Sequence, residues 1–207
     1  MSTAARITKP PASPPVVAGF DRPLRRIAVD EYHRMIDAGA FVGGPKCELI
    51  HGYILEKPVP NPPHAYAVDV LADLLRALAG PGRVVRTQQP VTLSDSEPEP
   101  DVVVAVGSRQ DFRVRHPRPA DVELVVEVAD SSLREDQTTK LALYAGAKLP
   151  VYWIVNLIDR RVEVYAQPRG GKNPAYRTTA TYGPGDSVPV VVGGTELGTL
   201  PVSELLP

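Results

Sequence analysis

The order of elements along the chain is helix, strands, helix, three strands, helix, strands, which predicts an α/β fold with a mixed β-sheet flanked by helices. Three observations carry that reading. Two runs, Val102-Val103-Val104-Ala105-Val106 and Val122-Glu123-Leu124-Val125-Val126-Glu127-Val128, are dense in β-branched residues and bounded by Pro, Gly and Asp. Both are apolar at neighbouring as well as alternate positions, as strands covered on both faces are. Residues 131–144 then return apolar side chains at helical spacing.

Length and composition narrow the field. The 207 residues suit one domain with a sizeable core. Residues 1–23, rich in Pro, Ala, Ser and Thr, are expected to form a disordered tail ahead of a single domain over 24–207. With 23 basic and 24 acidic residues the net charge is −1, so a nucleic-acid partner needs a local basic patch, not a global field. Cys47 is the single cysteine, which excludes an internal disulfide and fits a reducing, cytoplasmic setting. No apolar run is long enough to span a membrane, and the first residues lack a secretory apolar stretch. There is no Gly-rich phosphate loop and no Cys/His cluster with zinc-ligand spacing.

Element by element, residues 29–38 read as a short helix with Asp30 or a nearby residue at its start, an apolar stripe of Tyr32, Met35 and Ile36, and Gly39 to close it. Residues 48–55 read as a strand pair turning at His51-Gly52. Asn61-Pro62-Pro63 starts a second helix, with asparagine as cap and proline in the first turn, and Gly80-Pro81 stops it. A strand is expected over 84–93, with Pro90 marking an edge or bulge. An acidic turn follows, in which Glu97 and Glu99 read as solvated carboxylates ahead of the alternative that they touch a metal. Residues 109–118 hold Arg109, Arg113, Arg115, His116 and Arg118, a basic loop that is either solvated or suited to backbone phosphate. Ser131 or Ser132 is the expected cap of the third helix, with Glu135 completing a capping box. Residues 151–157 and 162–166 form a hairpin around Asp159-Arg160, with Trp153 in the core. Short strands are expected at 176–182 and 188–192.

The residues that carry chemistry lie on the central elements. Asp101 opens the first valine-rich strand and Glu127 sits inside the second. A carboxylate on a doubly covered strand is costly unless a cation meets it. At about 100° per residue, Leu133, Lys140 and Tyr144 share one stripe of the third helix, so Lys140 points at the sheet. The competing reading pairs Lys140 with Asp136 along the helix surface. Pro100-Asp101, Glu127-Val128, Asp136 and Lys140 ahead of Tyr144, then Tyr152-Trp153-Ile154-Val155, resemble in order the Uma2 family of endonuclease-like proteins, within the PD-(D/E)xK nuclease superfamily. The resemblance covers residues 31–165 and implies a restriction-endonuclease-like core. It implies a site role for Glu48, read otherwise as an edge-strand acid in water, and a site approach for His64, read otherwise as a surface or capping histidine. Where the superfamily places a lysine two residues after the acid, this chain has Ala129, and the resemblance moves that lysine to Lys140.

Two close carboxylates repel unless a cation lies between them. Mg²⁺, with Mn²⁺ as the alternative, suits Asp101 and Glu127, while Lys140 positions water or stabilises charge and Glu48 assists. The expected activity is metal-dependent hydrolysis of nucleic-acid phosphodiester bonds, DNA first, with a homodimer as one way to cut two strands. The alternatives are a non-catalytic nucleic-acid- or protein-binding module on the same fold, and a purely structural triad.

Overall fold

The computed structural model describes residues 24–207; the expected tail over 1–23 lies outside them. Six strands form one sheet in sequential order: β3 (Arg83–Thr87), β4 (Val102–Val106), β5 (Val122–Ala129), β6 (Val151–Asn156), β7 (Arg161–Arg169) and β8 (Ala175–Tyr182). The β5–β6 pair is parallel and the other neighbours are antiparallel, so the sheet is mixed. The parallel pair requires a crossover, and the helical segment over 133–146 supplies it.

Alternation along β4 and β5 sorts the core onto two faces. Val102, Val104, Leu124, Val126 and Val128 meet α2 (Pro62–Ala79) through Val68, Leu71 and Leu75. The same face receives the hairpin β9 (Ser187–Val192) and β10 (Thr195–Pro201). Val103, Ala105, Val125 and Ala129 lie on the opposite face with Leu143, Tyr144 and Tyr152. Each strand is therefore apolar on both sides, as its sequence predicts, and each fully buried aliphatic side chain stabilises the fold by roughly 1.5–3 kcal/mol.

Asn61 caps α2, its side chain accepting the His64 backbone N–H at 3.0 Å, with prolines in the first turn. β1 (Cys47–Ile50) and β2 (Tyr53–Glu56) form a separate hairpin. Its two turn residues, His51 and Gly52, both have positive φ, the hairpin geometry that favours glycine. A Cβ on Gly52 would also lie 2.8 Å from the Arg26 Cβ. Leu49 and Glu97 exchange backbone hydrogen bonds, which tie this hairpin to the segment entering β4.

Four expectations are corrected. α1 (Val29–Asp37) takes nearly the expected span and buries Val29 and Tyr32 against Leu49, but Ile36 of the expected apolar stripe is 47% exposed, on the side of the helix turned away from that cluster. The strand expected over 84–93 ends at Thr87: Gln88 has φ 48° and donates to the Asp101 carbonyl, and Pro90 has no N–H to continue the ladder. The third helix is not one α-helix but α3 (Leu133–Glu135), a π-helical turn (Asp136–Lys140) and α4 (Leu141–Gly146). Ser132 does not cap it with a backbone hydrogen bond; its hydroxyl donates to Asp136 at 2.6 Å.

Candidate active site

β4 begins only at Val102 because the two residues before it do not continue the ladder to β5 through their backbone. Pro100 has no N–H, and at Asp101 side chains take over from the backbone. The Asp101 N–H donates to Glu127 Oε2 at 3.2 Å, and the Val128 N–H donates to Asp101 Oδ2 at 2.9 Å. Each acid thus accepts an N–H from the other strand, and the sheet opens at that point. Glu127 alternates with Val125 and Ala129, so it shares their face and meets the crossover helix.

From that helix Lys140, only 6% exposed, brings its ammonium to 3.1 Å from Glu127 Oε1 and 3.2 Å from Glu48 Oε1. Tyr144 donates its hydroxyl to Glu127 Oε1 at 2.6 Å. Glu48 arrives from β1 and also accepts the Glu99 N–H at 3.0 Å. His64, in the first turn of α2, holds Asp101 Oδ2 through Nε2 at 3.1 Å, while its Nδ1 is buried without a partner among the described residues. Asp136 is buried and lines the same cleft of about 360 Å³ as Glu48, His64, Asp101, Glu127 and Lys140.

The structure therefore brings together all six residues singled out from the sequence. The helical ion pair is corrected: Lys140 pairs with Glu127 and Glu48, not with Asp136. The extra residue in the π turn changes the facing of 136 relative to 140 from that of an α-helix. Glu48 is a buried carboxylate that lines the cleft, not an edge acid in water. Glu97, expected in solvent, is buried, accepting from Thr92 and meeting His33 Nε2 at 2.8 Å. Tyr144 and Lys57 also belong to the neighbourhood. Tyr144 reads from sequence as core alone; Lys57, which donates to the Glu99 carbonyl at 2.7 Å and lines the cleft, carries no sequence signal.

The electrostatics are uneven. Burial pushes the Asp101 carboxyl up, but His64, the Val128 N–H and Lys57 together outweigh it, and Asp101 ionises below the usual carboxylate range. Burial pushes Glu127 up against the pull of Lys140, and Asp101 adds to the rise. Burial and Glu127 raise Asp136 to about 8, although Lys140 and Ser132 oppose the shift. Burial alone would lower Lys140, yet Glu127, Glu48 and Asp136 raise it far enough to keep the ammonium charged. The hydrogen bond to Asp101 raises His64 against the effect of burial.

The carboxylates of Glu48, Asp101, Glu127 and Asp136 thus share the cleft with the ammoniums of Lys140 and Lys57 and with His64, and their hard oxygen donors are of the kind a divalent cation takes. Asp101 Oδ1 takes no hydrogen bond among the described residues. No group of three or more His, Cys, Asp or Glu among the described residues is arranged to hold a metal by itself.

The profile of the Uma2 family, described as "Putative restriction endonuclease", matches residues 29–202. No curated protein matches the chain. A crystal structure titled "a putative nuclease belonging to DUF820", from Anabaena variabilis ATCC 29413, is similar at a TM-score of 0.64 and 19% identity, over 86% of this chain and 97% of that one. At that identity the likeness establishes the fold, which is restriction-endonuclease-like. With the match running from α1 to beyond β10, the chain belongs to the Uma2 family.

Proposed function

We propose that this chain is a metal-dependent endonuclease that hydrolyses phosphodiester bonds, with DNA as its substrate. The observation that carries the reading is the Lys140 ammonium held between Glu127 and Glu48, beside Asp101, at the end of an opened sheet. Asp101 and Glu127 would hold Mg²⁺ or Mn²⁺. When bound, such an ion polarises a phosphoryl oxygen and lowers the pKa of a coordinated water.

The remaining chemistry belongs to the chain. His64 and the Val128 N–H fix Asp101 in its ionised form. Tyr144 and Lys140 fix the Glu127 rotamer through Oε1. Lys140 keeps positive charge where negative charge grows on the phosphoryl oxygens as water attacks and the ester P–O bond breaks. Glu48, hydrogen-bonded to that ammonium, would take the proton the attacking water gives up, and solvent water would return one to the leaving oxygen. The lysine missing at Ala129 is replaced by Lys140, which reaches Glu127 from the helix.

A reducing cytoplasmic setting agrees with the lone Cys47, and no helix among the described residues is long and apolar enough to cross a membrane. A homodimer would present two such clefts to the two strands of a duplex. Incubation of supercoiled plasmid with Mg²⁺ or Mn²⁺ tests the reading. Wild type should nick the plasmid and Asp101→Ala should lose that activity by at least a hundredfold. Equal nicking by both proteins would mean contamination. The three internal donors to Glu127 are also what a structural triad or a binding module would show. DNA binding that survives Asp101→Ala, needs no metal and weakens with salt would favour the binding module.

A further inference from the structure

The π turn that presents Lys140 is tied to the sheet at its first two residues. The Asp136 carbonyl accepts the Tyr152 hydroxyl from β6 at 3.1 Å. Gln137 donates its amide to both oxygens of Glu163, on β7, at 3.0 Å each. Glu163 is buried and its carboxylate is crowded with donors: Asn156 at 3.0 Å, Arg161 Nε at 2.9 Å and Tyr165 at 2.7 Å. In register Glu163 stands opposite Ile154, and Ile154 is opposite Glu127 on β5. The anchored acid therefore sits two strands from the site acid, in line with it across the sheet.

A π turn holds one residue more than an α turn and is uncommon, so it needs outside support. Relaxing to α would turn the preceding residues by about 100° relative to Lys140. We infer that Gln137 and Glu163 are positioning residues: their clamp keeps the turn wide and so holds the Lys140 ammonium in the cleft against Glu127 and Glu48. The role of that ammonium in cleavage rests on the nuclease reading; its placement by the clamp does not.

The test reads the amine directly. Native protein is acetylated with an N-hydroxysuccinimide ester, and modification of Lys140 is followed by peptide mass spectrometry against the exposed Lys46 and Lys172. In wild type Lys140 should react far more slowly than either. Gln137→Leu removes the donors at a half-buried position and should speed Lys140 labelling at least tenfold, with Lys46 and Lys172 unchanged. Gln137→Arg, which restores a donor to Glu163, should return labelling toward wild type. If Gln137→Leu does not fold, Gln137→Ala carries the same expectation. Wild-type labelling of Lys140 in a folded Gln137→Leu or Gln137→Ala protein overturns the proposal, as does failure of Gln137→Arg to restore protection. No DNA enters this assay, so an absence of plasmid nicking by wild type would sink the nuclease reading and leave the clamp standing.

Discussion

Burying one carboxylate beside another makes ionising both more costly, and Asp136 pays that cost most visibly: its carboxyl is pushed from 3.8 to about 8 by burial and by Glu127. An acid raised in the folded state gives its full contribution below its unfolded pKa, and that contribution is lost as pH climbs through the folded value. In metal-free buffer the protein should therefore lose stability between about pH 4 and pH 8 on account of Asp136. Asp136→Asn should flatten that slope and exceed wild type at pH 9, measured by urea midpoints at pH 5, 7 and 9. An Asp136→Asn protein with an unchanged slope would show Asp136 to be ionised throughout. Asp101, lowered in the folded state, acts the other way: its contribution is present above the usual carboxylate pKa and lost on acidification. Lys140→Met should cost roughly 3–5 kcal/mol, because Glu127 and Glu48 keep their burial and lose their cation. Adding Glu127→Gln should recover part of that loss, and a strictly additive double mutant would argue against direct coupling. At this scale Asp101, Glu127 and Lys140 were legible because each breaks an apolar pattern. Glu97 and Glu163 were not: each takes donors from its own neighbourhood, as a solvated acid could, and the contacts with His33 and Gln137 that join them to other elements lie far away in sequence.

The elements β4, β5, α2 and the β6–β7 hairpin were legible from β-branched density, caps and turn residues. The π turn was not. It changes the number of residues per turn without changing composition, so an α-helical stripe through Leu133, Lys140 and Tyr144 described the sequence equally well. Yet Lys140 and Tyr144 lie at and after the end of the turn, so their shared face survives while the facing of Asp136 and Gln137 differs. Deleting Thr138, which is exposed, should convert the turn to α-helix. The Tyr152–Asp136 and Gln137–Glu163 hydrogen bonds should then break at a cost of about 2 kcal/mol or more, the usual range for one neutral and one charge-assisted bond. Urea unfolding should report that loss while far-UV circular dichroism stays close to wild type. Unchanged stability would mean that the turn carries no tertiary load.

Over the whole molecule, the site depends on a sheet that is covered on both faces, and the covers come from distant parts of the chain. One face receives the crossover helix and the other receives α2 with the β9–β10 hairpin. The valine-rich strands announced two covered faces, but no local signal said that the last twenty residues would supply one of them. Val188, Val190, Val192, Leu200, Val202 and Leu205 are all buried there against Trp153, Val155 and their neighbours. At roughly 1.5–3 kcal/mol each, their burial contributes on the order of 10 kcal/mol, comparable with the ~5–15 kcal/mol net stability of a whole domain. A chain ending at Tyr182 should therefore lose its cooperative fold, although it keeps every residue of the cleft. Thermal unfolding followed by near-UV circular dichroism would show no sigmoidal transition, and a hydrophobic dye would bind at room temperature. A cooperative transition in the truncated chain would show that α2 alone closes that face. The hairpin would then be an appendage to the fold, not half of its cover.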